Sequence, residues 1–109
     1  MFAQFAKDGT AMHAHLALRL LGSGSKSGTC PAVYAAETGE LVVQGDITDR
    51  AGTVRVPYAL LDWLEPGMTL PVEATDAAGI FLVSGEQVTA PEVLAQLRLA
   101  DHETAVVVR

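Results

Sequence analysis

Apolar and polar residues alternate along residues 12–20 in the manner of a β-strand. The apolar positions share one face of such a strand: Met12, Ala14, Leu16, Leu18 and Leu20. These residue types also favour a helix, but an alternation that holds over five steps favours the strand. We therefore predict that residues 1–28 form an apolar arm or strand, ending in a flexible loop rich in Ser and Gly at residues 22–28.

Two segments of the chain, residues 31–46 and residues 71–86, resemble each other without a gap. Identical residues coincide at four positions when the segments are aligned: Pro31/Pro71, Gly39/Gly79, Val43/Val83 and Gly45/Gly85. Proline suits the first residue of a strand, and glycine suits a turn that needs a positive φ. Each segment therefore predicts a β-hairpin, within repeat units at residues 29–64 and 69–109.

The remaining patterns predict further strands and two short helices. Residues 53–56 and 105–108 are rich in β-branched side chains, which are typical of strands. Residues 57–64 begin with a proline, which the first turn of a helix accepts. Residues 89–97 begin with Thr89 as a predicted N-cap, and an acidic residue follows in the first turn. The fold class predicted is therefore mainly β (α+β): a small β-barrel or sandwich built from two repeated hairpin units with two short helices.

Composition limits the size and the partners of this fold. A chain of 109 residues has room for a single domain, which we place over residues 1–109. The net charge of −6 and scattered basic residues argue against direct contact with nucleic acid. A single cysteine excludes an internal disulfide, and the apolar run at residues 11–21 is too short to span a bilayer. We expect a cytoplasmic protein with no membrane contact.

Histidines offer the one candidate metal site that the sequence suggests. His13 and His15 would project from the same face of a strand, a pair of the kind that small β-barrels of the cupin type use, and His102 or Cys30 could add a third ligand. The cupin motif also needs an acidic residue a few positions later, where this chain has Arg19. We therefore predict no bound metal, and His13, His15 and His102 remain the candidates that would supply one.

Other catalytic and cofactor motifs do not fit. The Ser/Gly-rich loop lacks the spacing of a phosphate loop around Lys26. Cys30 precedes a proline at a predicted strand start, and no arginine-bearing phosphate loop follows it to activate a thiolate. We predict no catalytic residue and no cofactor. Aromatic and leucine side chains are instead the predicted interaction surface: Trp63, Tyr58, Leu16, Leu18 and Leu20.

Residues 27–64 resemble the small regulatory proteins of actinobacteria that include the BldB type of streptomycetes. The pattern that carries the resemblance is a Ser/Gly-rich lead, Cys30, a strand, a turn, a second strand, and a short helix that contains Trp63. Proteins of that type are often encoded beside helix-turn-helix regulators, and the resemblance implies a protein that binds such a regulator without catalysis. No functional residue is transferred from it.

These observations predict a non-catalytic regulatory or adaptor protein. It would act as a homodimer that binds another protein, such as a helix-turn-helix transcription regulator. The alternatives are a small cupin-like metal-binding enzyme or ligand-binding protein that uses the histidines, and a structural or assembly subunit, for which the internal repeat is typical.

Overall fold

An antiparallel sheet of eight strands organises the residues that a computed structural model describes, 17–24 and 31–109. The strands are β1 (Leu18–Ser23), β2 (Ala32–Ala36), β3 (Leu41–Ile47), β4 (Thr53–Pro57), β5 (Glu73–Ala74), β6 (Ile80–Ser84), β7 (Glu86–Gln87) and β8 (Glu103–Val108). A 3₁₀ helix (Tyr58–Trp63) follows β4, and a one-turn helix, α1 (Pro91–Leu94), lies between β7 and β8. None of the described helices is long and apolar enough to cross a membrane.

The strand order is β1-β2-β3-β4-β6-β5, and β8 pairs with β3 on one side and with β7 on the other. The predicted β2–β3 hairpin and the predicted strands at residues 53–56 and 105–108 are present, within β4 and β8. The mainly β fold predicted from the sequence is thereby confirmed. The barrel alternative is not, because the sheet is not closed.

Each face of the sheet carries its own apolar cluster. On the first face, Val33, Val43, Val54 and Val83 are fully buried, and Leu60 of the 3₁₀ helix covers them. On the second face, α1 and its flanking residues cover β3 and β8. The buried residues of this second cluster are Val42, Val88, Val93, Leu97 and Ala105. Alternation of side chains along each strand produces this two-sided burial.

The helices differ in detail from the prediction. The first is a 3₁₀ helix, and the second spans only Pro91–Leu94 with Ala90 as its N-cap, so the predicted Thr89 cap is wrong. Proline at the first helical position sets this start, because its missing N–H is not needed there. After Leu94 the chain continues in i→i+3 hydrogen bonds, which tighten the last turn. Glu92 lies in the first turn, as predicted.

The N-terminal prediction is tested only in part, because residues 12–16 lie outside the described residues. From Leu18 onward the chain is a strand, with a register shift between Leu20 and Gly22. Leu18 packs against the second cluster, whereas Leu20 is 54% exposed. β1 is an edge strand with a neighbour on only one side, and Leu20 places an exposed apolar side chain on it.

The second glycine of each predicted hairpin segment, Gly45 or Gly85, marks a place where the sheet pairing changes partner. Gly45 separates the last β3 residue paired with β2 from the first paired with β4. Gly85 separates β6, which pairs with β4, from β7, which pairs with β8. A Cβ atom would lie 2.5 Å from the Arg55 carbonyl oxygen at Gly45 and 2.3 Å from that of Val107 at Gly85. Both positions therefore require glycine for a close backbone approach.

β3–β4 and β5–β6 are the two hairpins whose cross-strand pairs are equivalent. The alignment seen in the sequence instead matches β2–β3 with β5–β6, and these two hairpins differ in register. Asp46 pairs with Arg55 in the first hairpin, and Glu73 pairs with Leu82 at the equivalent position of the second. Both turns read Thr-Asp-x-Ala-Gly, at residues 48–52 and 75–79. The sequence alignment, which matches residue 31 with residue 71, is one position out of register. In β2–β3 residue 34 pairs with residue 42, whereas residue 74 pairs with residue 81.

Candidate functional site

A row of side chains crosses the second face of the sheet, one from each of five neighbouring strands. In strand order β8, β3, β4, β6 and β5, the row is Glu103, Asp46, Arg55, Leu82 and Glu73, as the cross-strand pairs show. Glu103 is buried beneath the segment that includes α1, whereas Arg55 and Glu73 are exposed. The helix therefore covers one half of this face and leaves the β4–β6–β5 half open.

On the open half, the cross-strand pairs follow a local two-fold axis. Arg55 and Leu82 pair at the centre of β4–β6, and each is the other's equivalent when the β3–β4 hairpin is matched to β5–β6. On either side, residue 53 pairs with residue 84 and residue 57 with residue 80, and the same match exchanges these two pairs. The two hairpins are therefore related by a half turn about the Arg55–Leu82 pair.

A cleft of about 560 Å³ lies over this central pair. Its floor contains Arg55, Leu82 and Ile80, and the two equivalent turns form its sides. The turn residues that line it are Thr48, Asp49 and Arg50 on one side and Thr75, Asp76 and Ala77 on the other. The floor combines half-buried apolar side chains with one guanidinium group, a composition suited to binding a partner with both apolar and anionic groups.

The two turns are held by the same hydrogen bonds. The Thr48 Oγ1 lies 3.0 Å from both the Arg50 and the Thr53 carbonyl oxygens, which share its one O–H, and it accepts the Arg50 N–H at 3.1 Å. The Thr75 hydroxyl makes the equivalent contacts with Ala77 and Ile80, at 3.1 and 2.9 Å, and accepts the Ala77 N–H at 3.1 Å. Threonine side chains thus fix both walls of the cleft in one geometry.

The charges around the cleft differ in whether they are paired. Arg50 forms an ion pair with Glu73, with 3.0 Å between Nη2 and Oε1. Arg55 has no ion pair and no side-chain hydrogen bond with any residue in the described ranges. In a protein of net charge −6, an exposed and unpaired guanidinium on the floor of a cleft is available to a partner's carboxylate.

At the covered end of the same row, three possible metal ligands lie together. One carboxylate oxygen each of Asp46 and Glu103 and one ring nitrogen of His102 lie within 4.8 Å of one another. His102 Nε2 is 3.8 Å from Asp46 Oδ1, and both side chains are about half exposed. The structure thus places one of the three sequence-predicted histidines beside two carboxylates. His13 and His15 lie outside the described residues, as does Cys30.

The predicted aromatic residues lie on the first face, away from the cleft. Trp63 is half-buried, packs against the first apolar cluster, and contacts the backbone of Gly22, where an added Cβ would lie 2.3 Å from its Cγ atom. Tyr58 is 55% exposed, and its ring is tilted by 56° against that of Phe81 at 5.4 Å. Of the predicted leucines, Leu18 is half-buried, Leu20 is exposed, and Leu16 lies outside the described residues.

The β1 strand, at the edge of the sheet, has backbone groups on its outer side that face away from β2. The backbone groups of successive residues in β2 point alternately to its two neighbouring strands. The Ala36 N–H donates to the Glu40 carbonyl oxygen on the β3 side, so the backbone groups of Ala35 point to β1, where Ala35 pairs with Arg19. The backbone groups of Leu18 and Leu20 consequently point away from β2. The Gln96 side chain accepts the Leu18 N–H at 3.1 Å, which protects one of these positions.

Arg19 joins this edge to the loop after the 3₁₀ helix. Its guanidinium donates to both carboxylate oxygens of Glu65, at 2.6 and 2.9 Å. These hydrogen bonds lower the pKa of the Glu65 carboxyl and raise the pKa of Arg19, because they favour the charged form of each group. Glu86 and Glu40 raise the pKa of Arg109 in the same way at the end of β8.

No family model, curated protein or solved structure matches this chain. The candidate site therefore depends on its geometry alone. Sequence reasoning did not single out Arg55, Leu82 or the paired threonine turns. The signal that could have found them is the Thr-Asp-x-Ala-Gly motif, which occurs at residues 48–52 and again at residues 75–79, each time before a strand.

Proposed function

We propose that this protein is a non-catalytic regulatory or adaptor protein that binds another protein on the open half of its sheet. The observation that carries the proposal is the cleft over the Arg55–Leu82 pair, in which a guanidinium that has no ion pair among the described residues lies beside apolar side chains. Arginine flanked by apolar contacts is a frequent centre of binding energy in protein interfaces. The partner surface that fits is an apolar segment with an aspartate or glutamate.

The class of partner follows from the resemblance of residues 27–64 to the actinobacterial regulatory proteins. A helix-turn-helix transcription regulator encoded beside this protein's gene is the first candidate. With a net charge of −6 this protein does not suit DNA itself, so contact with the regulator would be protein to protein.

We further propose a homodimer in which the β1 edges of two chains pair. Support comes from the outward backbone groups of Leu20 and from its side chain, which is 54% exposed. An open edge strand accepts another strand by completing its hydrogen-bond ladder, and a two-fold dimer places the same edge of each chain against the other. The cleft lies on β4 and β6, beyond β2 and β3 in the sheet order, and stays accessible in such a dimer.

The partner interface is tested by charge reversal with a matched control. Arg55→Glu should weaken binding of the purified regulator about 10-fold or more, measured by isothermal titration calorimetry. Arg98→Glu makes the same change at another exposed arginine that has no ion pair within the described ranges, and it should leave binding unchanged. Equal loss in both variants would show only a general charge effect, and an unaffected Arg55→Glu would remove the cleft from the interface.

The dimer is tested by native mass spectrometry of the untagged chain. Leu20→Lys should convert the dimer to monomers, because a lysine on an edge strand opposes strand addition. Val72→Lys alters another exposed apolar residue, which is 37% exposed and lies outside β1, and it should leave the dimer intact. A wild-type chain that is monomeric at all concentrations would contradict the dimer.

A further inference from the structure

The side-chain cluster at the junction of β3 and β8 has an arrangement that goes beyond the proposed binding function. Asp46 and Glu103 are directly opposed in the antiparallel pair, and His102 precedes Glu103. Opposed residues in antiparallel strands project their side chains onto the same face. One atom from each of the three side chains lies within 4.8 Å of the others, so a single ion could contact all three after small rotations of the exposed pair.

The backbone positions of all three residues are fixed by the sheet. Asp46 and Glu103 belong to paired strands, and the His102 carbonyl oxygen accepts the Ile47 N–H at 2.8 Å. A metal site built on paired strands holds its ligands more closely than one on a loop. Only the side chains of Asp46 and His102, each about half exposed, need to move.

The Glu103 carboxylate is oriented by neighbouring groups. Its Oε1 accepts the Ala100 N–H at 3.0 Å and the Gln44 Nε2–H at 3.3 Å, and the residue is only 5% exposed. Gln44 Nε2 also donates to the Arg98 carbonyl oxygen at 2.8 Å, which holds the amide in place. Hydrogen bonds of this kind orient metal-ligating carboxylates in known sites.

We propose that Asp46, His102 and Glu103 form a binding site for a transition-metal dication of the zinc type. One imidazole nitrogen with two carboxylates is a donor set that zinc accepts, and solvent at the exposed side supplies the remaining position. Magnesium and calcium prefer six or more oxygen ligands, which this cluster does not provide. The site differs from the one expected at the sequence level, because it contains His102 without His13 or His15.

The test uses the untagged full-length chain, stripped with a chelator and dialysed, and zinc sulfate as the probe. Native mass spectrometry should show one zinc per chain, and competition with a chromophoric chelator gives the affinity. His102→Ala and Asp46→Asn should each weaken zinc binding about 100-fold or more, because each removes one of three ligands. Glu103→Gln should weaken it too, while its amide oxygen still accepts the Ala100 N–H.

Two controls separate this site from others. Asp101→Asn changes an exposed acid next to His102 that is not part of the cluster, and zinc affinity should be unchanged. A His13→Ala, His15→Ala double variant should also bind zinc normally. Thermal unfolding without zinc verifies that each variant is folded. The proposal is overturned if the wild-type chain binds no zinc, or if binding survives His102→Ala and is lost in the double variant.

Discussion

Arg55 and Leu82 pair across β4 and β6, and they occupy the same position in two hairpins that repeat along the sequence, β3–β4 and β5–β6. A charged and an apolar side chain therefore occupy symmetry-equivalent positions on the floor of the cleft. The repeat preserves the backbone and the turns and changes the side chains at its centre. This difference gives the floor of a cleft with two similar sides one charged and one apolar side chain.

The two turn glycines should differ in their sensitivity to substitution. Gly52 and Gly79 have positive φ angles of 72° and 78°, so alanine at either costs about 1–2 kcal/mol of unfolding free energy. A Cβ at residue 52 would also lie 2.8 Å from the Gly85 carbonyl oxygen, whereas nothing lies within 4 Å at residue 79. Urea denaturation should therefore show a larger loss for Gly52→Ala than for Gly79→Ala. Equal losses would contradict the close approach of the two loops.

The equivalent threonines should contribute equally to stability. Thr48→Val and Thr75→Val each remove a hydroxyl that makes three hydrogen bonds in its turn, and each should lower the unfolding free energy by about 1 kcal/mol. Thr48→Ser and Thr75→Ser keep the hydroxyl and should retain most of the unfolding free energy that it contributes. Thr69→Val changes an exposed threonine outside both turns and serves as the control. A loss confined to one of the two turns would show that they are not energetically equivalent.

The contact between Gly22 and Trp63 should make residue 22 intolerant of a side chain. A Cβ there would lie 2.3 Å from the Trp63 Cγ atom, so Gly22→Ala must displace the indole or the strand, at a cost of about 1–3 kcal/mol. The chain has a single tryptophan, and its fluorescence should report the displacement. In a Trp63→Ala background, Gly22→Ala should cost much less. An equal cost in both backgrounds would place the strain elsewhere.

The ion pair between Arg19 and Glu65 predicts a dependence of stability on pH. The pKa of Glu65 is lowered in the folded state, mainly by its hydrogen bonds with Arg19. The pair therefore stabilises the fold above the pKa of the unfolded carboxyl, and this contribution disappears as pH falls through the lower folded pKa. The stability difference between wild type and Glu65→Gln should be small, because both side chains are exposed, and should vanish in acid.

A double variant, Arg19→Gln with Glu65→Gln, isolates this pair. It should be no less stable than Glu65→Gln alone, and raising the salt concentration should reduce the wild-type advantage because exposed charges are screened. Asp62→Asn serves as the control, because it removes an exposed acid that forms no ion pair within the described residues, and it should leave the pH dependence of stability unchanged. A pH dependence that persists in the double variant would assign the effect to other carboxyl groups.

Local patterns predicted the strands well. The β-branched runs at residues 53–56 and 105–108 lie within β4 and β8, and Gly39 takes the positive φ that its turn was expected to need. These features depend on neighbouring residues alone. The helix at 89–97 was too long and its cap was wrong, because Pro91 starts the helix and the chain then tightens into turns.

Both predicted hairpins are present, as β2–β3 and β5–β6, but their registers differ by one position for a physical reason. Gly45 and Gly85 do share a role, since both lie where the sheet pairing changes partner, but this role does not fix register. Register depends on the turn, and the matching turns begin at Thr48 and Thr75. Arg55 carries no signal by itself, because a lone arginine in a strand becomes notable only once the repeated Thr-Asp-x-Ala-Gly turn relates β4 to β6.

The position of β8 has a consequence for how the chain is made. This strand fills the place between β3 and β7, although it is synthesised after both. Until residues 103–108 leave the ribosome, the valines of β3 stand at an open edge that can join other nascent chains. Insertion of β8 therefore closes the open edge of β3, and we expect chaperone protection of the nascent chain to matter most just before it.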